Sequence, residues 1–259
     1  IAMDDSVVLK RAMDIDTCGS LVESVLCDNP QIFWIDGGCT LTCGGNVSTV
    51  GLVKNRFAKD KERAKELIVK NAEEIYRKHV EGLGSALDIE LAVHDALASR
   101  VAYDGTDKDG AHSIVGPLLS KKGVCDGISK ANSFLLNAFG VESSVMTGQD
   151  RKDGSGHAWS VVRLGREWYH EDVTYDLGKG PGTPPRFYLN MDDAMIGRTH
   201  LQRAAGRCRS RRLNPYVMSG TYFRTEGEAA RSIVAARTAA DPCRDVFDLY
   251  VEEDGDGDG

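Results

Sequence analysis

Apolar residues recur at helical spacing through Ile128, Ala131, Phe134, Leu135, Ala138 and Phe139, marking one buried stripe that Gly140 terminates. A second stripe, Ala64, Leu67, Ile68, Ala72 and Ile75, runs along an otherwise charged helix from Lys59 to about Val80. Ser85-Ala86-Leu87-Asp88 reads as a capping box opening a third helix. His94 falls on the same side of that helix as Leu87, Leu91 and Ala98, which makes it a packed, hydrogen-bonded structural histidine. The pattern changes at Gly156–Leu164 and again at Glu167–Tyr175, where β-branched and aromatic residues predict two strands. Val141–Gly148 reads as another strand, and Gln149–Ser155 as a polar loop. So do Gln31–Asp36, Cys39–Cys43 and Asn46–Val53 read as strands, the last two joined across Gly44-Gly45. Ser6–Asp28 reads as a helix bent near Cys18-Gly19 and stopped by Asn29-Pro30. Beyond a Gly- and Pro-rich crossing at Asp176–Pro185, the pattern gives a short strand at Arg186–Asn190 and a short helix at Met191–Arg198. An Ala-rich helix over Glu226–Ala240 and a strand over Asp245–Val251 complete it. The fold class that follows is α+β, with the Cys125 helix packed on an antiparallel sheet. Four segments are expected: 1–84, a helical and hairpin segment; 85–190, the core; 191–253, a helix and strand extension; and 254–259, an acidic tail.

Candidate chemistry lies where two of these elements meet. Cys125 falls in the first turn of its helix, where unpaired N–H groups and a partial positive charge favour a thiolate. By itself such a cysteine is more simply a small buried hydrophobe. Gly165-Arg166 suits a two-residue hairpin that pairs Leu164 with Glu167. Continued along the ribbon, that register sets His157 opposite Thr174 and Trp159 opposite Asp172, all four on one face, while Glu171 points to the other. Asp172 then becomes the diagonal neighbour of His157. A thiol, an imidazole and a carboxylate that orients it make up the logic of thiol catalysis. Cys125, His157 and Asp172 are therefore the candidate nucleophile, base and orienter. Tyr103, His112 and Trp159 are the candidate substrate-binding residues.

Three blocks carry a family likeness: Gly123-Val124-Cys125-Asp126-Gly127, Gly156-His157-Ala158-Trp159, and Trp168-Tyr169-His170-Glu171-Asp172-Val173-Thr174. In order and spacing they resemble the transglutaminase-like superfamily, most of all bacterial members that include surface and secreted proteins of Gram-positive organisms. The resemblance implies a papain-like triad at Cys125, His157 and Asp172, and an extracellular or cell-surface setting. Two positions depart from the family pattern. Asp126-Gly127-Ile128 stands where relatives commonly have Gln-Gly-Tyr, and Tyr175 where they usually have Trp. A carboxylate beside the thiol opposes thiolate formation if it points inward.

Composition narrows the field. A chain of 259 residues, 41% hydrophobic, can bury a proper core. No apolar run reaches membrane-spanning length, so no membrane span is expected. A net charge of −7 lacks the basic footprint of nucleic-acid binding. Six arginines between Arg198 and Arg212 read by default as solvated surface. Setting Cys125 aside leaves Cys18, Cys27, Cys39, Cys43, Cys208 and Cys243, an even number that permits disulfides. Cys39 and Cys43 have no second pair at metal-ligand spacing, so no metal and no cofactor are expected. The tail Asp254–Gly259 matches only the opening of a calcium loop and reads as an acidic terminus.

The residues point first to hydrolysis or acyl transfer on peptide or protein amides, with hydrolysis favoured over cross-linking. A non-catalytic binding module with the same fold is the alternative, and a small-molecule acyltransferase comes third.

Overall fold

The computed structural model describes residues 6–43, 45–178, 184–202, 207–239 and 249–251. Its N-terminal part is a three-stranded antiparallel sheet with one helix. β1 (Ser6–Met13) leads through the Asp14 cap into α1 (Ile15–Asp28), and β2 (Ile35–Cys43) and β3 (Asn46–Lys54) complete the sheet in the order β1-β3-β2. The single helix expected over Ser6–Asp28 is thus a strand followed by a helix. Asp14 explains the break, because its carboxylate accepts the Thr17 N–H and starts the helix there. Gln31, Ile32, Phe33 and Trp34 lie outside β2, which is one strand rather than two.

α2 (Lys61–Ile75) follows a 3-10 turn and ends in a π turn at Tyr76–Val80. α3 (Ala86–Ala98) starts at Ser85, whose hydroxyl accepts the Asp88 N–H. The short strand β4 (Ala102–Tyr103), helix α4 (Lys108–Ala111) and strand β5 (Lys122–Gly123) then lead to α5 (Cys125–Ala138), with β4 and β5 paired in parallel. The buried side of α5 is Ile128, Ala131, Leu135 and Leu136 together with Asn132; Ala138, placed on the stripe by spacing, is exposed. Gly140 takes φ +88° just past the helix end, a conformation that favours glycine.

Behind α5 stands the main sheet, made of β6 (Ser143–Asp150), β7 (Gly156–Leu164), β8 (Glu167–Glu171) and, after the one-turn helix α6 (Asp193–Ile196), β9 (His200–Gln202). The strand order is β8-β7-β6-β9, antiparallel throughout. The β7–β8 register is Leu164↔Glu167 through Ser160↔Glu171, as the hairpin residues require. β8 ends at Glu171, however. Residues 173–176 form a turn, because the Asp172 N–H leaves the ladder for the Tyr188 carbonyl. Residues 186–190, expected as a strand, form turns, leaving only a bridge between Met191 and His170. α7 (Pro215–Ser219), β10 (Tyr222–Phe223), α8 (Glu226–Ala239) and β11 (Tyr250–Val251) follow, with β10 and β11 in parallel. The rest of the Asp245–Val251 expectation and the acidic tail lie outside the described residues.

One core joins α2, α3, α5 and the main sheet: Ile68 and Ile75, Val93 and Leu97, Ile128 and Leu135, Val162 and Tyr169, with Phe33 from the N-terminal part. Cys18, Cys27 and Cys208 are buried free thiols, so they do not form the disulfides that the cysteine count permitted. The arginine run is partly structural, since Arg211 binds the Asp192 carboxylate. No helix among the described residues is long and apolar enough to cross a membrane.

Candidate active site

Cys125 owes its position to the tight seating of the first turn of α5. The Val124 N–H donates to the Ala111 carbonyl at 3.1 Å. One turn on, Gly127 lies so close that an added Cβ would stand 2.1 Å from that same oxygen. A side chain at Gly127 would lift the helix start away from its support. Farther along, Ser129 ties α5 to β7 by donating to the Ala158 carbonyl at 2.9 Å. Cys125 is left half-buried at the mouth of a cleft of about 450 Å³, with His157 and Ala158 on one side and Val22 and Leu26 of α1 on the other.

His157 joins the other two groups. Its ring lines the cleft together with Cys125, and its Nε2 lies 2.7 Å from Asp172 Oδ2. Burial pulls the His157 pKa down, but Asp172 and the nearby Cys125 outweigh it and hold the imidazolium up to about 10. Asp172 is fully buried just past β8. Its Oδ1 accepts the N–H groups of Thr174 and Tyr175 at 2.9 and 3.3 Å, and its Oδ2 accepts from His157 and from His200 Nε2 at 3.0 Å. Burial pushes Asp172 upward; the two imidazoles outweigh it, and the carboxyl stays below its ordinary range.

Of the expected substrate-binding residues, Tyr103 and His112 reach the site and Trp159 does not. Burial raises the Tyr103 pKa, and the charges of the nearby Cys125 and Asp126 raise it further. His112 lines the cleft, with Nδ1 2.8 Å from Asp126 Oδ1. Trp159 is 0% exposed. It packs under His157 at 6.0 Å between ring centroids and donates its indole N–H to His170 Nδ1, so it supports the imidazole from behind and no substrate can touch it. Asp126, the departure beside the thiol, is already paired. Its oxygens meet His112 and, at 3.1 Å, Lys130 Nζ. Burial raises its pKa, but these partners prevail and lower it.

Among the described residues, two groups of side chains place possible metal-ligating atoms within 4.8 Å of one another: His157, Asp172 and His200, and His170, Asp193 and Cys208. In the second, His170 Nδ1 accepts from Trp159, so the ring proton sits on Nε2, which faces Asp193 Oδ1 at 3.0 Å. A protonated Nε2 cannot ligate, and burial pushes the Cys208 thiol up to about 12. In the first, both Nε2 atoms are engaged with Asp172 Oδ2. Hydrogen bonds account for each arrangement.

His200 and Lys130 were not singled out by sequence reasoning. The wall formed by α1 was missed as well. A smaller pocket of about 260 Å³ adjoins the cleft, sharing His112, Asp126 and Lys130 with it and floored by Ile32, Phe33 and Ile35.

Residues 73–173 match the family model described as the Transglutaminase-like superfamily. Among solved structures, one described as a TGase is 16% identical, covering 69% of this chain and 52% of that one at a TM-score of 0.37. A putative cysteine protease from Cytophaga hutchinsonii is 20% identical, covering 41% of this chain and 37% of that one at 0.37. Arylamine N-acetyltransferase from Salmonella typhimurium is 18% identical, covering 46% and 48% at 0.28. The chain thus spans about half or less of each of these solved chains. No curated protein matches it.

Proposed function

Because residues 73–173 match the model of the transglutaminase-like superfamily, we propose that the chain is a thiol-dependent enzyme acting on peptide or protein amides, with Cys125 as nucleophile, His157 as acid and base, and Asp172 as orienter. The observation that carries this reading is the position of His157, which lines one cleft with Cys125 and lies 2.7 Å from a buried carboxylate.

His157 takes the thiol proton, and the Cys125 thiolate attacks the amide carbon. The C–N bond breaks as His157 returns the proton to the leaving nitrogen, which departs as amine or ammonia and leaves a thioester on Cys125. Water then gives its proton to His157 and attacks the thioester, releasing the acid and restoring the thiol. Asp172 fixes the ring orientation and stabilises the imidazolium between steps. The Cys125 N–H, at the helix start, is one donor to the developing oxyanion. Tyr103 is the second. Its phenol lies near Cys125, and burial pushes its pKa up and keeps the donor protonated.

The test is mass-spectrometric trapping of an acyl adduct from a peptide library. An adduct on Cys125, lost in Cys125→Ala, names both nucleophile and substrate. A chain that forms no adduct, and whose Cys125 alkylates like a free thiol, is instead a binding module that keeps the fold.

A further inference from the structure

We propose that His200 is a positioning residue of this site, clamping the Asp172 carboxylate so that His157 is held at one angle and with a tempered pull. The inference rests on the reading of Cys125, His157 and Asp172 given above.

A carboxylate offers about four lone-pair sites, and in Asp172 all four are taken. Thr174 and Tyr175 donate backbone N–H groups to Oδ1, while His157 and His200 meet Oδ2 at 2.7 and 3.0 Å. Without His200, Oδ2 would be fixed by His157 alone, the side chain that has to change its protonation state during turnover. With it, the carboxylate cannot turn without breaking a bond to a group that takes no part in the chemistry.

The surroundings of His200 fix both its proton and its plane. Its Nδ1 lies 2.7 Å from Thr199 Oγ1. When that hydroxyl donates, the ring proton stays on Nε2, the tautomer that Asp172 requires. The ring packs against Trp159, His157 and Tyr175 at 4.7, 4.9 and 5.0 Å between centroids, and against Tyr188 at 5.8 Å. Tyr175 and Tyr188, the phenols facing it, are both pushed up by burial and stay neutral. Other carboxylates act on Asp172 from further away: Glu171, beside it in the chain, and Asp176, in the turn beyond.

The backbone serves the same placement. β9 is three residues long and pairs with β6 at Asp150↔His200 and Gly148↔Gln202. A Cβ at Gly148 would lie 2.2 Å from the Leu201 carbonyl, so only glycine lets β9 approach this closely.

The test compares His200→Phe, His200→Gln and Thr199→Val with the parent in kcat, KM and the pH profile of Cys125 alkylation. Phe fills the space and removes the donor. Kcat is expected to fall roughly 10–10²-fold with KM nearly unchanged. Asp172, with one donor fewer, would hold the His157 imidazolium more tightly, moving the alkaline limb of the profile upward by roughly a unit. Gln keeps an N–H within reach of Asp172 and should restore most of both. Thr199→Val preserves shape and frees the His200 tautomer, giving a smaller shift of the same sign; it decides the matter should His200→Phe not fold. A merely structural His200 would change thermal stability and leave the profile alone, and that result, in whichever of His200→Phe and Thr199→Val folds, overturns the proposal. If the parent itself alkylates like a free thiol, the catalytic reading fails, and this one with it.

Discussion

Glu171 and Asp172 are consecutive, both fully buried, and turned to opposite faces of the β7–β8 ribbon, yet their surroundings treat charge in opposite ways. Asp172 collects four donors and remains a carboxylate. Glu171 collects one, the Asn132 amide at 2.7 Å, and its Oε1 has no partner among the described residues. Burial therefore pushes Glu171 upward. Glu90, across from it in the same interior, is also raised by burial and by the Glu171 charge, with only Asn190 to donate at 2.9 Å. Depth is equal on the two faces, and what sets Asp172 apart is the pair of imidazoles on its Oδ2. The face with the cleft carries a fixed anion. The face toward α3 and α5 carries acids whose pKa values are raised.

The sharpest way to break this comparison is to take the charge from the cleft side. Asp172→Asn preserves shape but cannot accept from two imidazoles with one oxygen while its amide end faces the Thr174 and Tyr175 N–H groups. Turnover should fall about 10²–10⁴-fold in kcat, the range that positioned acid–base transfer contributes. Steady-state kinetics on the peptide identified by adduct trapping reads this directly. A loss below tenfold would mean that Asp172 does not orient His157.

A milder probe disturbs the delivery of donors and leaves the carboxylate itself intact. In Gly148→Ala the new methyl meets the Leu201 carbonyl and the Trp159 ring, whose nearest atom is 2.8 Å from the built Cβ. Overpacking of this kind costs about 1–3 kcal/mol. It should appear in urea denaturation together with a partial loss of kcat, since β9 carries His200. An equal substitution at Gly156, where nothing lies within 4 Å of the built Cβ, should leave both nearly unchanged.

How much of this was legible follows from the length scale of each contact. The β7–β8 hairpin was legible because Gly165-Arg166 fixes the turn and a period of two fixes the face, so His157 and Asp172 follow from local rules. The end of β8 was not. Its last residues leave the ladder for the Tyr188 carbonyl, a partner that the hairpin pattern does not contain. Trp159 shares a face with His157, as alternation required, but alternation does not tell a cleft wall from a buried support, and α6, through Met195 and Ile196, covers it. His200 was invisible for a related reason: a three-residue strand is too short to show alternation, and its value lies in pairing with β6 about fifty residues earlier. At the other end, Ser6–Met13 has too few residues to separate a strand from the start of the helix it precedes.

The subtlest test returns to the other face. Glu171→Gln replaces an acid raised to about 7 with a neutral amide of the same shape, whose oxygen can keep the Asn132 bond. At neutral pH it should be neutral to stabilising, by on the order of 1 kcal/mol. The sign with pH follows from linkage. Glu171 and Glu90 are raised in the folded chain and ordinary in the unfolded one, so the folded state binds more protons once pH exceeds the ordinary carboxylate range. Their stability is present in full at and below that range and drains away as pH climbs through the raised values. Urea denaturation of the parent at a series of pH values from 5 to 9 should therefore show part of its stability lost with rising pH, and Glu171→Gln should flatten that loss while leaving kcat near the parent value. A drop in kcat as deep as that of Asp172→Asn would show that the two faces act as one site, because a neutral acid facing away from the cleft has no means of its own to hold His157.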